Sequence, residues 1–422
     1  MTTTDGDAVI NRRGIASVGV ASIVAALAGY LVLVIVARTV SPQVNADFLV
    51  FWSLFFGGYG LLGGLQQEAT RAVGAQMLES RERTGPEGTR VLPWFLLIGL
   101  VTAALAALTA PAWFPRLLAG QPGAIVLILC VATVVLAGHV TLGGLLAGRR
   151  LWNLSAVLTG GESALRLVAV AVVAFFGAGV IGLEVATVVS SAFWLVMLAC
   201  SRSVRRAAGA RSADRPARMV GRAGQAMLAA AGSAALVVGY PTLMRLSATT
   251  SEWASAAPLV LAISLTRAPL LMPLSAYQGV AISYFLDPRH GRFAALAKIV
   301  LGILGVGSVG AVLAWFVGPW LLVTFFGPGY RESGMLLAAL TLAAVALAVL
   351  TITGACVLAL GMHRAYALGW VLAFAVSAGA LFAPLPLAER AVLSLAIGPA
   401  IGACLHVVSL AVTRRLEPTR GS

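Results

Sequence analysis

Charge is what this 422-residue chain has least of: Asp, Glu, Lys and Arg together make up 10% of it. A soluble domain carries about 25%, so a water-facing surface of the ordinary kind is excluded. Acids are scarcer than bases, 15 against 29, and the net charge is +14. The four cysteines (Cys130, Cys200, Cys356, Cys404) lie inside or at the ends of apolar runs. They read as small buried hydrophobes, not as a disulfide framework. The four histidines (His139, His290, His363, His406) are scattered without metal-ligand spacing, so neither metal nor cofactor is expected. Phosphate-loop, dinucleotide-binding and nucleophile-elbow motifs are absent. A cleavable signal peptide is not expected, because the first apolar block is about 24 residues long and lacks a small-residue cleavage site.

What is present is apolar. Hydrophobic residues make up 60% of the chain and mean hydropathy is +0.96. They fall into twelve blocks, near 14–37, 47–65, 91–110, 123–147, 154–177, 179–200, 223–247, 256–285, 294–318, 333–360, 364–386 and 391–413. Each can cross a hydrocarbon core of about 30 Å as a helix. The runs are continuous, whereas barrel strands alternate over about ten residues. The fold class is therefore all-α, a polytopic membrane protein. Gly177-Ala178-Gly179 suits a tight hairpin between the fifth and sixth helices.

The bases agree with twelve spans and both termini inside. On that count 22 of the 29 Lys and Arg residues fall in inner segments and 4 in outer ones: Arg38, Arg116, Arg331 and Arg390. Such a bias is the positive-inside pattern. The inner set comprises Arg12, Arg13, Arg71, Arg81, Arg83, Arg90, Arg149, Arg150, the seven arginines of 201–222, Arg289, Arg292, Lys298, Arg364, Arg414, Arg415 and Arg420. The basic loop reads as a cytoplasmic anchor near anionic headgroups. Nucleic-acid binding is not expected, since no soluble domain accompanies these arginines.

The longest polar interruption follows the sixth block. It divides the chain into residues 1–200, a basic linker at 201–222, and residues 223–422, six helices on each side. Both halves start inside, so a repeat would be parallel. Gly29-Tyr30 with Arg38 matches Gly239-Tyr240-Pro241 with Arg245. Pro111, Trp113, Leu117 and Gly120 match Pro319, Trp320, Phe325 and Gly327. Outer loops are short and carry no paired carboxylates; Asp47 and Glu252 stand alone. An enzyme such as a membrane glycosyltransferase is disfavoured and a transporter favoured.

Several segments carry a resemblance. The first helix ends Ala37-Arg38-Thr39-Val40. The second ends Gly63-Gly64-Leu65-Gln66-Gln67-Glu68-Ala69-Thr70-Arg71. Later come Phe325-Phe326-Gly327-Pro328-Gly329-Tyr330 and Leu358-Ala359-Leu360-Gly361 with Arg364. These resemble polysaccharide flippases of the Wzx type, grouped in one superfamily with the lipid II flippase MurJ and the MATE transporters. The resemblance implies two six-helix lobes around a central cavity. It also implies movement of an isoprenoid-pyrophosphate-linked sugar from the inner to the outer leaflet.

Ionisable residues at bilayer depth are site candidates by default. Arg267 lies about midway along the eighth span, followed by Pro269 and Pro273. It is either a cavity cation for an anionic headgroup or a structural partner of Glu162 or Glu184. Glu162 and Arg166 stand four apart on one helix face and can pair directly; a substrate or gating role is the alternative. Glu184 is expected near the outer surface. Arg38 and Arg245 can snorkel at outer helix ends or guide headgroup exit. Gln66, Gln67, Glu68 and Arg71 form an inner gate or an ordinary helix end. His139 and His406 are expected to be packed. Pro241, Pro269 and Pro273 break helical hydrogen bonds, which suits alternating access. The leading expectation is thus a lipid-linked oligosaccharide flippase of the inner membrane, with membrane lipids and polysaccharide assembly enzymes as partners and a monomer as the default. A cation-coupled drug exporter and a non-transporting scaffold are the alternatives. The coupling ion stays open.

Overall fold

The computed structural model describes residues 4–79, 88–118, 123–286 and 291–416. Arg81, Arg83, Gly120, Arg289, His290 and Arg420 lie outside them, as do the side chains of Arg12, Arg13, Pro273, Arg414 and Arg415. The helices are α1 (Thr4–Thr39), α2 (Pro42–Glu79), α3 (Val91–Leu117), α4 (Ala124–Gly148), α5 (Trp152–Phe175), α6 (Gly179–Ser190), α7 (Phe193–Cys200) and α8 (Arg202–Ala208). They continue as α9 (Pro216–Val237), α10 (Tyr240–Ser247), α11 (Thr250–Ala254), α12 (Ala257–Leu286), α13 (Arg292–Phe326), α14 (Gly334–Ala359), α15 (His363–Ala380) and α16 (Leu387–Leu416). A two-residue antiparallel pairing joins β1 (Thr89–Arg90) to β2 (Arg211–Ser212).

Among the described residues nine spans are long and apolar enough to cross a membrane, ten if the bent pair α9 and α10 counts as one. The other two of the twelve apolar blocks are helical as well, within α12 and α15. Large apolar side chains point outward along them: Phe175 is 85% exposed and Leu108 76%. In water that would be an aggregation surface; in a bilayer it is the lipid-facing side. The chain is a polytopic, all-α membrane protein.

Local chemistry sets the helix ends. Ser41 accepts from the Val44 N–H at the start of α2, and Ser333 does the same for Leu336 in α14. Both are N-caps. Gly177 (φ +67°) and Gly179 (φ +72°) form the expected hairpin between α5 and α6, in a backbone region that disfavours side chains.

The chain forms two compact units, Met1–Thr242 and Leu243–Ser422. The division falls after α9, not at the basic linker. The reason is packing: α9 lies against α2 within the first unit. A Cβ on Gly64 would meet the backbone of Ala226 and Met227, and one on Gly60 would meet the Ala234 side chain at 2.7 Å. Small residues let the two backbones approach, the usual device between membrane helices. Gly144 and Gly148 bring α4 equally close to Gln66 and Thr70 of α2. The linker is itself structured, since 201–222 contains α8, β2 and the start of α9.

The block at 223–247 is not one straight helix. It breaks at 238–239, and α10 turns 67° from α9. Freed backbone groups need partners at membrane depth. Ser53 of α2 supplies them, donating to the Val238 carbonyl at 3.0 Å and accepting from the Thr242 N–H at 3.3 Å. In the second unit α14 is the buried centre, packed by α12, α13, α15 and α16.

Candidate functional site

Each unit holds charge away from water. In the first, Glu162 and Arg166 on α5 are both 4% exposed. Arg166 Nη2 pairs directly with Glu162 Oε1. Ser190 of α6 donates to Glu162 Oε1 at 3.3 Å and accepts from Arg166 Nε at 3.4 Å, while Ser163 donates to Glu162 Oε2 at 3.3 Å. The guanidinium carbon lies 4.8 Å from the ring centre of Phe56 and 6.0 Å from that of Trp52. Carboxylate on one side and aromatic faces on the other replace the water that Arg166 has lost. Tyr59 sits one turn along α2, its ring 5.8 Å from that of His139.

Glu184, near the start of α6, is fully buried within the protein, and neither carboxylate oxygen has a hydrogen-bond partner among the described residues. Asp47, near the start of α2, is close enough to act on it electrostatically. The signal for Glu184 was a single acid in an apolar run.

At the other end of α2 the expected gate residues divide. Glu68 is buried, and Arg71 grips it twice, Nε to Oε2 at 2.7 Å and Nη2 to Oε1 at 2.6 Å. The same Nη2 reaches Asp214 at 2.7 Å, and Arg222 Nη1 joins that oxygen, also at 2.7 Å. Arg71 thus turns to Glu68 and Asp214 and not to Gln67, which is exposed. Gln66 gives its carbonyl to the Thr70 hydroxyl and packs against Gly144. Asp214 was missed in the sequence, although it is the one acid in the stretch 201–222. Burial alone would raise its carboxyl; the Arg71 hydrogen bond and the charges of Arg222 and Arg218 outweigh that and hold it below the usual range.

In the second unit Arg267 is 7% exposed on α12. Its neighbours Thr266, Pro269 and Leu270 line an apolar cavity of about 340 Å³ closed by α13 and α14, with Gly307, Gly310 and Gly318 making the room. Arg245 of α10 is half-buried, 5.6 Å from the Trp253 ring centre. Arg390, one of the bases counted in outer segments, is buried within the protein. It donates to Glu252 Oε1 at 2.6 Å and to the carbonyls of Leu381 and Ser247 at 3.1 and 3.2 Å. It ties α11 to the start of α16. Glu252 also accepts the Thr249 N–H in a capping box, which with Arg390 holds its carboxyl below the usual range. Arg38 of the first unit is exposed in the last turn of α1. His139 and His406 are both packed; Thr353 bonds His406 Nδ1 at 3.1 Å. No group of acids, histidines and cysteines able to hold a metal occurs among the described residues.

Solved structures of the same shape are transporters. A multidrug resistance MATE family transporter of the MOP superfamily, inward-facing, matches 94% of this chain and 96% of its own, with a TM-score of 0.70 and 16% identity. A MOP superfamily transporter from Pyrococcus furiosus matches all of both chains, at 0.67 and 15%. At such identities the likeness establishes fold only. No family profile matches the chain. Sequence relatives are nearer. The uncharacterized protein Rv3630 of Mycobacterium tuberculosis is 39% identical over 407 residues, covering 96% of this chain and 93% of that one. Rv1510 of the same species is 38% identical over 402 residues, covering 95% and 92%. This chain belongs to the family of these mycobacterial proteins, and its fold is that of the MOP superfamily transporters.

Proposed function

We propose that the protein carries an anionic amphiphile across the plasma membrane by alternating access, and that the cargo is an isoprenoid-pyrophosphate-linked oligosaccharide moved from the inner to the outer leaflet. The observation that carries this reading is Arg267. It is a buried guanidinium on α12, and Thr266, Pro269 and Leu270 beside it in the helix line an apolar cavity. Guanidinium is the side chain suited to phosphate oxygens, and an apolar wall suits a hydrocarbon tail. A cationic drug would need carboxylates there. Arg166 is balanced by Glu162 and serves as a secondary contact, with Arg245 and Arg38 toward the exit. The Arg71 cluster serves as the cytoplasmic gate.

The test is the leaflet location of lipid-linked sugar precursors in cells lacking the protein. Precursor should accumulate on the cytoplasmic leaflet, relieved by the wild type and not by Arg267→Ala. Unchanged precursor sinks the flippase. Relief by both proteins keeps the flippase and removes Arg267 from the site. A second reading, an ion-coupled drug exporter, is favoured by one observation: Glu184, an acid buried in the first unit without a hydrogen-bond partner among the described residues. It predicts drug resistance in expressing cells that Glu184→Gln abolishes.

A further inference from the structure

Gly361 (φ +73°) turns the chain between α14 and α15, so that the first turn of α15 lies beside the last turns of α16. An open cavity of about 750 Å³ occupies this corner. Its lining is divided by chemistry. His363 and Arg364, both exposed, stand at one edge. Neither side chain makes an ion pair or hydrogen bond to another described residue, and no acid lines the cavity. Leu368 follows one turn above Arg364. Leu405, Val408 and Val412 continue the apolar wall along a single face of α16, at spacings of three and four residues. Leu368, Val408 and Val412 are 58%, 59% and 50% exposed, so this wall belongs to the lipid-facing side and not to the core. No side chain caps α15, and the positive end of its dipole adds to the two basic residues.

Each simpler occupant leaves something uncovered. A free anion would meet the bases and leave the apolar wall bare. A neutral lipid would cover the wall and leave the bases uncompensated. We propose that this corner binds one anionic phospholipid of the surrounding bilayer. Its phosphate lies on Arg364 and His363, and one acyl chain runs along Leu368, Leu405, Val408 and Val412. The site lies apart from Arg267 and stands whatever the transported cargo is.

Native mass spectrometry of the purified full-length protein in detergent tests this, with phosphatidylglycerol or phosphatidylcholine of identical chains added. Wild type should retain one phosphatidylglycerol in preference to phosphatidylcholine. Arg364→Gln should weaken that retention about tenfold, the loss of one charge-assisted phosphate contact. Val408→Asn should weaken it with both bases in place, and Arg116→Gln, at an exposed arginine in the last turn of α3, should leave it unchanged. Equal retention of the two lipids overturns the proposal, as does an undiminished phosphatidylglycerol adduct on Arg364→Gln. Displacement of the lipid by inorganic phosphate would reassign the corner to a soluble anion. A dimer that retains no lipid would assign it to a second copy of the chain. Should Arg364→Gln lose its helical far-ultraviolet spectrum, Arg364→Lys decides instead: it keeps the charge and should hold the lipid.

Discussion

A buried carboxylate and guanidinium four residues apart stabilise α5 only as a pair. Removing one partner leaves a full charge in a low-dielectric site, which costs about 3–5 kcal/mol, whereas replacing both with apolar groups of similar size is often neutral. Glu162→Ala should therefore lower the thermal unfolding midpoint in detergent sharply, and Glu162→Ala with Arg166→Met should recover most of the loss. The cation–π contacts with Phe56 and Trp52 sharpen the contrast, because they hold the orphaned Arg166 in place where it cannot reach water. If the double variant is as unstable as the single one, the pair is not what Arg166 is for. This pair was legible in the sequence because its partners share one helix face. Arg390 was not, because its partner Glu252 lies 138 residues away and nothing local marks the contact.

At the scale of elements, the apolar runs foretold the helices, and Gly177 with Gly179 foretold a hairpin. The join between α2, β2 and α9 was not legible, since it rests on Asp214 meeting Arg71 across 143 residues. Three of its arginines, Arg71, Arg218 and Arg222, surround this one acid, and the sign of its pH dependence follows. The folded carboxyl titrates below its unfolded value of about 3.9. Its contribution is complete above that value and is lost as pH falls through the folded one. Unfolding midpoints of the wild type and Asp214→Asn should differ by a constant amount above about pH 5 and converge only as pH falls below the usual carboxylate range. A difference that persists at low pH would mean that Asp214 acts through a hydrogen bond that a neutral carboxyl keeps and an amide does not, and not through charge.

For the whole molecule the number of crossings decides which side every loop faces. Nine spans pass on length and apolarity alone, and nine, an odd number, would set the two termini on opposite sides of the membrane. The bent pair α9 and α10 adds a tenth, and α12 and α15 bring the total to twelve. The bases argue for twelve. If α12 stopped short of crossing, Arg292 and Lys298 would move to the side opposite Arg202–Arg222. If α15 did, Arg364 would part from Arg414 and Arg415. Either change undoes the 22-to-4 distribution that insertion machinery reads. Reporters that work only in the cytoplasm should therefore be active at both termini, and a reporter that works only outside should be active when inserted at the turn between α15 and α16, near Ala383. Termini on opposite sides would show that α12 or α15 enters and leaves by the same face; were it α12, Arg267, whose depth in the membrane rests on α12 crossing, would go back to the interface.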